Sequence, residues 1–213
     1  IKVLTLGDHP LAPSGVSNQS KNVIEALLHT GKFSVISLGG AMRHNDYASM
    51  VTEEWGHDWV IHPVDDYGTH DIIRSIIRNE KPDILWFMTD PRFWVWLWEV
   101  EHEIRPNIPM VYYHVWDNFP APKFNFPFYH SCDHIATISK VTDQIVSEVT
   151  PHVDRTYLPH AVNPVIFSKK TDEEIVEFKR QSLPEALWNK VIFFWNNRNA
   201  RRKPVSYTHL RAH

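Results

Sequence analysis

The sequence predicts an α/β fold, a doubly wound and mostly parallel sheet. Three observations carry that expectation. Apolar runs of strand length alternate with segments of helical spacing along the chain. The first such run empties into a breaker-rich loop, D-H-P-L-A-P-S-G over residues 8–15, and a helical pattern follows at once. Toward the other end, V-I-F-F-W-N-N-R-N-A-R-R-K over residues 191–203 has the same form. There an apolar run, 191–195, reads as a buried strand and leads into a polar loop with Arg198, Arg201, Arg202 and Lys203. Open α/β sheets bind ligands at such strand-to-loop junctions. A planar guanidinium and an ammonium placed there suit a diphosphate.

The chain has 213 residues, enough for one large α/β domain and the start of another. With 43% hydrophobic residues it can bury a sizeable core, which argues against disorder. A net charge of −3 argues against non-specific nucleic-acid binding. The single cysteine, Cys132, rules out an internal disulfide framework and fits a reducing compartment. The opening I-K-V-L-T-L-G reads as a strand and not as a signal peptide. No stretch of about eighteen apolar residues is free of charge, so no membrane span is expected, and peripheral membrane contact stays open.

Residues 2–7 read as the first buried strand, and 16–29 as a helix with Val16, Val23, Ile24, Leu27 and Leu28 at helical spacing. Gly31 suits its C-terminal cap. Residues 33–38 read as the second strand, 58–64 as a third, and 69–79 as a helix with Ile72, Ile73, Ile76 and Ile77 on one stripe. After a strand at 84–88, Thr89-Asp90-Pro91 breaks the chain, and Pro91 opens a helix running to about residue 104. Trp94, Trp96 and Trp98 on that helix read as core, because alternate helical positions cannot share one face. Residues 110–116 are a strand, 135–138 a short one, and Ser139 is placed to cap a helix over 140–149. A strand at 155–158 and a Thr171-Asp172-Glu173-Glu174 capping box, opening a helix to about 181, complete the pattern.

Taken together these stretches resemble the family-four glycosyltransferases. Pro13-Ser14-Gly15-Val16 is similar to the family's glycine turn before its first helix, and His114 to the histidine near the sugar-transfer site. Ile138-Ser139-Lys140 resembles the family's "(V/I)-S" helix opening. Pro159-His160-Ala161-Val162-Asn163 with Phe167 resembles its "P-N-G-V-D…F" linker. Arg198 and Lys203 are spaced as in "G-R-x-x-x-x-K-G", with Asn197 where the family has glycine.

The resemblance implies a GT-B architecture. Residues 1–168 would be an acceptor-side Rossmann-like domain, and 169–204 a linker helix plus the first strand of a truncated donor-binding domain. Residues 205–213, V-S-Y-T-H-L-R-A-H, continue no earlier pattern and resemble a translated sequencing adapter, as found in metagenomic fragments, so native sequence is expected to end near Pro204. The implied activity is retaining transfer of a sugar from a nucleotide diphosphate sugar, the co-substrate, to a glycan, lipid or protein acceptor. No other cofactor, no metal and no nucleic-acid partner is implied. The implied location is cytoplasmic, with peripheral contact at the inner membrane face open. The fragment alone is expected to be inactive.

Each site residue has a plain alternative. Gly15 would let a backbone approach the donor diphosphate, held also by Arg198 and Lys203, or it is an ordinary turn. Arg198 and Lys203 could equally belong to a solvated basic loop. His114 is assigned to the catalytic centre as a neutral hydrogen-bonding group and not as a general base; otherwise it is a satisfied strand-end histidine. Asp90, Arg92, Tyr113, Trp116 and Asp117 are candidates for the acceptor cleft. His130-x-Cys132-x-His134 could hold zinc only with a fourth ligand that the sequence does not offer. Two other functions remain: a GT-B-form sugar-nucleotide epimerase, and a non-catalytic nucleotide- or sugar-binding module.

Overall fold

The computed structural model describes residues 1–193. It divides into two compact units, Ile1–Ala161 and Val162–His213. Arg198, Arg201, Arg202, Lys203 and the tail 205–213 lie outside the described residues.

The first unit runs β1 (Lys2–Asp8), α1 (Gly15–His29), β2 (Ser34–Gly40), β3 (Met50–Thr52), β4 (Gly56–Pro63), α2 (His70–Glu80) and β5 (Ile84–Thr89). It continues through α3 (Val95–Glu99), α4 (Glu101–Ile104), β6 (Met110–His114), α5 (Phe126–His130), β7 (His134–Thr137), α6 (Lys140–Val149) and β8 (Asp154–Tyr157). The strands form one eight-stranded sheet in the order β3-β4-β2-β1-β5-β6-β7-β8. Every pairing is parallel except β3 with β4. The doubly wound α/β expectation therefore holds.

The central strands are apolar on both faces because both faces are covered. Leu4, Leu6, Leu85, Phe87, Tyr112 and Ile135 point into one core with Ile73, Trp98 and Val146. Val3, Trp86, Met88, Tyr113 and Ala136 point into the other with Ile24 and Leu28. This is the period-two alternation of a strand, applied to a sheet that is dry on both sides. The helices begin where the side chains dictate. Ser14, Thr69 and Ser139 each accept a hydrogen bond from the backbone three residues on, capping α1, α2 and α6.

Three features differ from the sequence reading. The expected helix from Pro91 to about residue 104 is a 3-10 turn, Pro91–Phe93, then α3 and α4. Trp94 and Val100 sit between them at φ −110° and −111°, outside helical geometry. The reason is tertiary: Trp94 is fully buried and its indole N–H donates to the Met88 carbonyl at 3.0 Å. The short edge strand β3 has too few residues to show a period. Finally, residues 191–193 form no strand, and Phe193 is 94% exposed. Among the described residues no strand pairs with residues 191–193, and the rest of the apolar run, 194–195, lies outside them.

In the second unit, α7 (Asp172–Ser182) opens with the expected capping box: Thr171 Oγ1 accepts from Glu174 N at 3.2 Å, and the Glu174 carboxylate accepts from Thr171 N at 2.9 Å.

Glycine is required at the end of β2. A Cβ on Gly40 would lie 2.0 Å from the Asp66 carbonyl oxygen, which is backbone and cannot swing aside. Gly40→Ala should destabilise the protein by about 1–3 kcal/mol, the range for overpacking a filled site. Thermal denaturation checks this, with Gly15→Ala as the control, since a Cβ there meets nothing within 4 Å.

Candidate functional site

The sheet order places a topological switch at β1. From β1 the chain moves to β2 and then β4 on one side, and afterwards returns to β5 on the other. Loops leaving the carboxyl ends of strands on either side of such a switch part and leave a crevice. Asp8 ends β1 and Ser14 lies in the loop after it; the turn after β5 carries Asp90, Pro91 and Arg92; the segment after β6 carries Trp116 and Asp117.

The turn after β5 is tightly held. Thr89 has φ +106°, an unfavourable conformation for a β-branched residue, and such strain collects at functional positions. Tyr112 Oη donates to the Thr89 carbonyl at 2.5 Å, and Asp90 Oδ1 accepts from Arg92 N at 3.1 Å. The Arg92 guanidinium lies 3.4 Å from Asp90 and over the Phe93 ring at 5.1 Å. Its side chain remains 74% exposed, so the cation is oriented yet free to meet a ligand.

Asp90, Arg92 and Trp116 line one cleft of about 290 Å³, together with Phe124, Asn125 and Phe128. Three of the sequence candidates thus come together. Asn125 was not among them; it lies in a Pro-rich loop, where no pattern marked it.

Asn125 connects the cleft to His114. Its Nδ2 donates to Tyr129 Oη at 3.1 Å, and Tyr129 Oη lies 2.6 Å from His114 Nε2. With Asn125 donating, the phenol proton is available for His114, which leaves Nε2 as acceptor and the proton on Nδ1. That Nδ1 is buried and has no partner among the described residues. Burial of the whole ring pushes its pKa down to about 3, so His114 is neutral at physiological pH. A neutral, weakly basic imidazole can orient or donate a hydrogen bond, but it is a poor proton acceptor.

Tyr113 does not line this cleft. Adjacent strand residues face opposite ways, so Tyr113 lies in the other core and its hydroxyl donates to the Leu158 carbonyl at 2.9 Å. Burial raises its pKa to about 12. Asp117 is exposed in the segment after β6. Gly15 is the first residue of α1, behind the Ser14 cap. Ser14 Oγ also donates to Asp8 at 3.2 Å, and Tyr67 Oη donates to Asp8 at 2.9 Å. The α1 terminus is thereby tied to the turn after β4.

The His130-x-Cys132-x-His134 trio is not assembled as a chelate. His130 Nδ1 faces His152 Nε2 at 2.7 Å, and Cys132 Sγ donates to the Phe128 carbonyl at 3.3 Å. Burial pushes the Cys132 thiol up to about 12 and makes it inert. Among the described residues no cluster of three or more such ligands forms. Among them, too, no helix is long and apolar enough to cross a membrane.

No protein-family model matches the sequence. No curated protein matches it either. Solved structures do. The crystal structure of Anabaena HepE in complex with UDP and glucose is similar at a TM-score of 0.53 and 10% sequence identity, covering 85% of this chain and 50% of that one. The chain thus spans about half the length of HepE, and the likeness is one of fold.

Proposed function

We propose that this chain is the acceptor-side part of a glycosyltransferase that takes its sugar from a nucleotide diphosphate sugar. The observation that carries the reading is the assembly of Asp90, Arg92 and Trp116 into one cleft beside the switch point, joined through Asn125 and Tyr129 to His114. A fold like that of HepE, which was crystallised with UDP and glucose, supports a UDP-sugar as donor. The family-four resemblance supplies the GT-B form, retention of configuration and a second, donor-binding domain.

In this reading the donor diphosphate rests on Arg198, Lys203 and the α1 terminus at Gly15. His114 is the neutral hydrogen-bonding group of the catalytic centre in this reading, and burial keeps it uncharged. Charge developing on the departing diphosphate is met by Arg198 and Lys203, where fixed cations lower the barrier most. Asp90 and Arg92 orient the acceptor, a glycan, lipid or protein, and the enzyme works in the cytoplasm or at the inner face of the membrane. The nucleotide sugar is a co-substrate, and the reading assigns no further cofactor.

The test uses the protein made from its uninterrupted source reading frame. Incubated with UDP-glucose and a panel of acceptors, it should form a new glycosidic bond of unchanged anomeric configuration. Arg198→Ala should weaken donor binding roughly ten- to hundredfold, the equivalent of about 1.5–3 kcal/mol for a hydrogen bond to a charged group. An isomerised nucleotide sugar formed without acceptor would instead identify an epimerase. Saturable binding without turnover would identify a binding module.

A further inference from the structure

A second cleft, of about 450 Å³, lies between the turn after β4 and the turn after β5. We infer that it binds the pyranose ring of a carbohydrate, and that the acceptor is therefore a glycan; the acceptor role rests on the transferase reading, whereas the binding itself does not. The volume falls in the ~300–1,000 Å³ range of small-molecule sites.

The walls have the chemistry of a sugar site. Tyr67, Phe93 and Trp96 present aromatic surface, with Tyr67 and Phe93 ring centroids 4.7 Å apart. Tyr67 cannot turn away, because its hydroxyl is fixed on Asp8 and its ring packs edge-on against buried Trp94 at 5.2 Å. Asp66, Thr69 and Arg92 supply acceptors and donors around the rings. Trp96 lines the cleft with its ring, while its indole N–H is buried and has no partner among the described residues. Both flanking turns hold strained backbone, Asp66 at φ +49° and Thr89 at φ +106°.

A pyranose offers apolar C–H faces to aromatic rings and a rim of hydroxyls to polar groups. This cleft offers both in alternation. A phosphate would need surplus positive charge, yet Arg92 already faces Asp90 at 3.4 Å and Asp66 adds a second carboxylate. An acyl chain would need a continuous apolar lining, which Asp66, Thr69 and Arg92 interrupt.

The experiment is an indole ¹⁵N NMR titration of the chain with the methyl glycosides of glucose, galactose, mannose and N-acetylglucosamine, carried to tens of millimolar. The resonance missing in Trp96→Phe should shift saturably with at least one glycoside. Phe93→Ala should weaken that binding at least fivefold, and Trp55→Phe, on the other side of the sheet, should leave it unchanged. Phe93 is 37% exposed, so its truncation leaves the core intact. The inference is overturned if no glycoside saturates the shift, if Phe93→Ala binds as well as the parent, or if uridine or dodecyl phosphocholine shifts the resonance where the glycosides do not. No donor is present in this titration. A saturable glycoside shift without UDP-glucose turnover would therefore contradict the transferase reading alone, and turnover without a shift would contradict this inference alone.

Discussion

Trp94→Ala should remove about 3–5 kcal/mol of stability, the cost of truncating a fully buried tryptophan. Trp94 has no exposed surface. Its ring meets Phe87 edge-on at 5.5 Å, Tyr67 at 5.2 Å and Trp96 at 6.3 Å. Deletion would open a cavity in the core under β5 and strand the Met88 carbonyl, which now accepts the indole proton at 3.0 Å. Trp94→Phe keeps most of the aromatic volume and loses the hydrogen bond, so it should cost less, about 1–3 kcal/mol. Urea denaturation monitored by circular dichroism reads both. The Trp94 ring also backs Tyr67, so the alanine variant should loosen the turn after β4 and lose the glycoside-induced shift as well. A variant as stable as the parent would mean that the ring does not set the turn after β5.

Acid should destabilise the protein, with His114 making the largest single contribution. The pKa of this buried imidazole lies at about 3 in the folded chain, against the ordinary 6.5. Between those values the unfolded chain binds a proton that the native ring refuses, so stability falls as pH falls. The stabilisation is fully present above pH 6.5 and is lost progressively toward pH 3, at up to about 1.4 kcal/mol per pH unit. His9, His62 and His160 are also pushed down, chiefly by burial, and act in the same direction. His114→Gln removes the titration while offering Tyr129 an acceptor near the Nε2 position. Urea midpoints at pH 7 and pH 5 should therefore differ less in His114→Gln than in the parent. Equal slopes in the two proteins would contradict the assignment of a buried, neutral His114.

Much of the fold was legible because the signals were local. A near-continuous apolar run such as Leu4 to Leu6 or Leu85 to Met88 marks a strand buried on both faces. Ser139 before a helical stripe, and Thr171 with Glu174, announce helix starts through bonds within a few residues. The misread places depend on partners far along the chain. Trp94 breaks the helix after Pro91 because of a bond to Met88 and contacts to Tyr67. Residues 191–193 are the described part of a run with strand composition and pair with no strand among the described residues.

The candidate cleft was legible in part for the same reason. Asp90, Arg92 and Trp116 follow the carboxyl ends of adjacent strands β5 and β6, and a parallel sheet brings those ends together. Tyr113 lies in the core on the opposite side of the sheet from Tyr112, and a sequence does not show which strand face a residue takes. Asn125 and Tyr67 had no sequence signal at all; each reaches the site from a loop whose path only the fold defines.

The proposed function makes this chain one wall of a two-domain nucleotide-sugar transferase. The most direct measurement is the sequence of the source DNA beyond the codon for Pro204. A transferase of the proposed kind predicts a continuing frame with another α/β pattern and two glutamates eight positions apart ahead of a helix, as the family resemblance implies. A source frame that encodes residues 205–213 as written and closes after His213 would contradict it, and would favour a stand-alone binding domain.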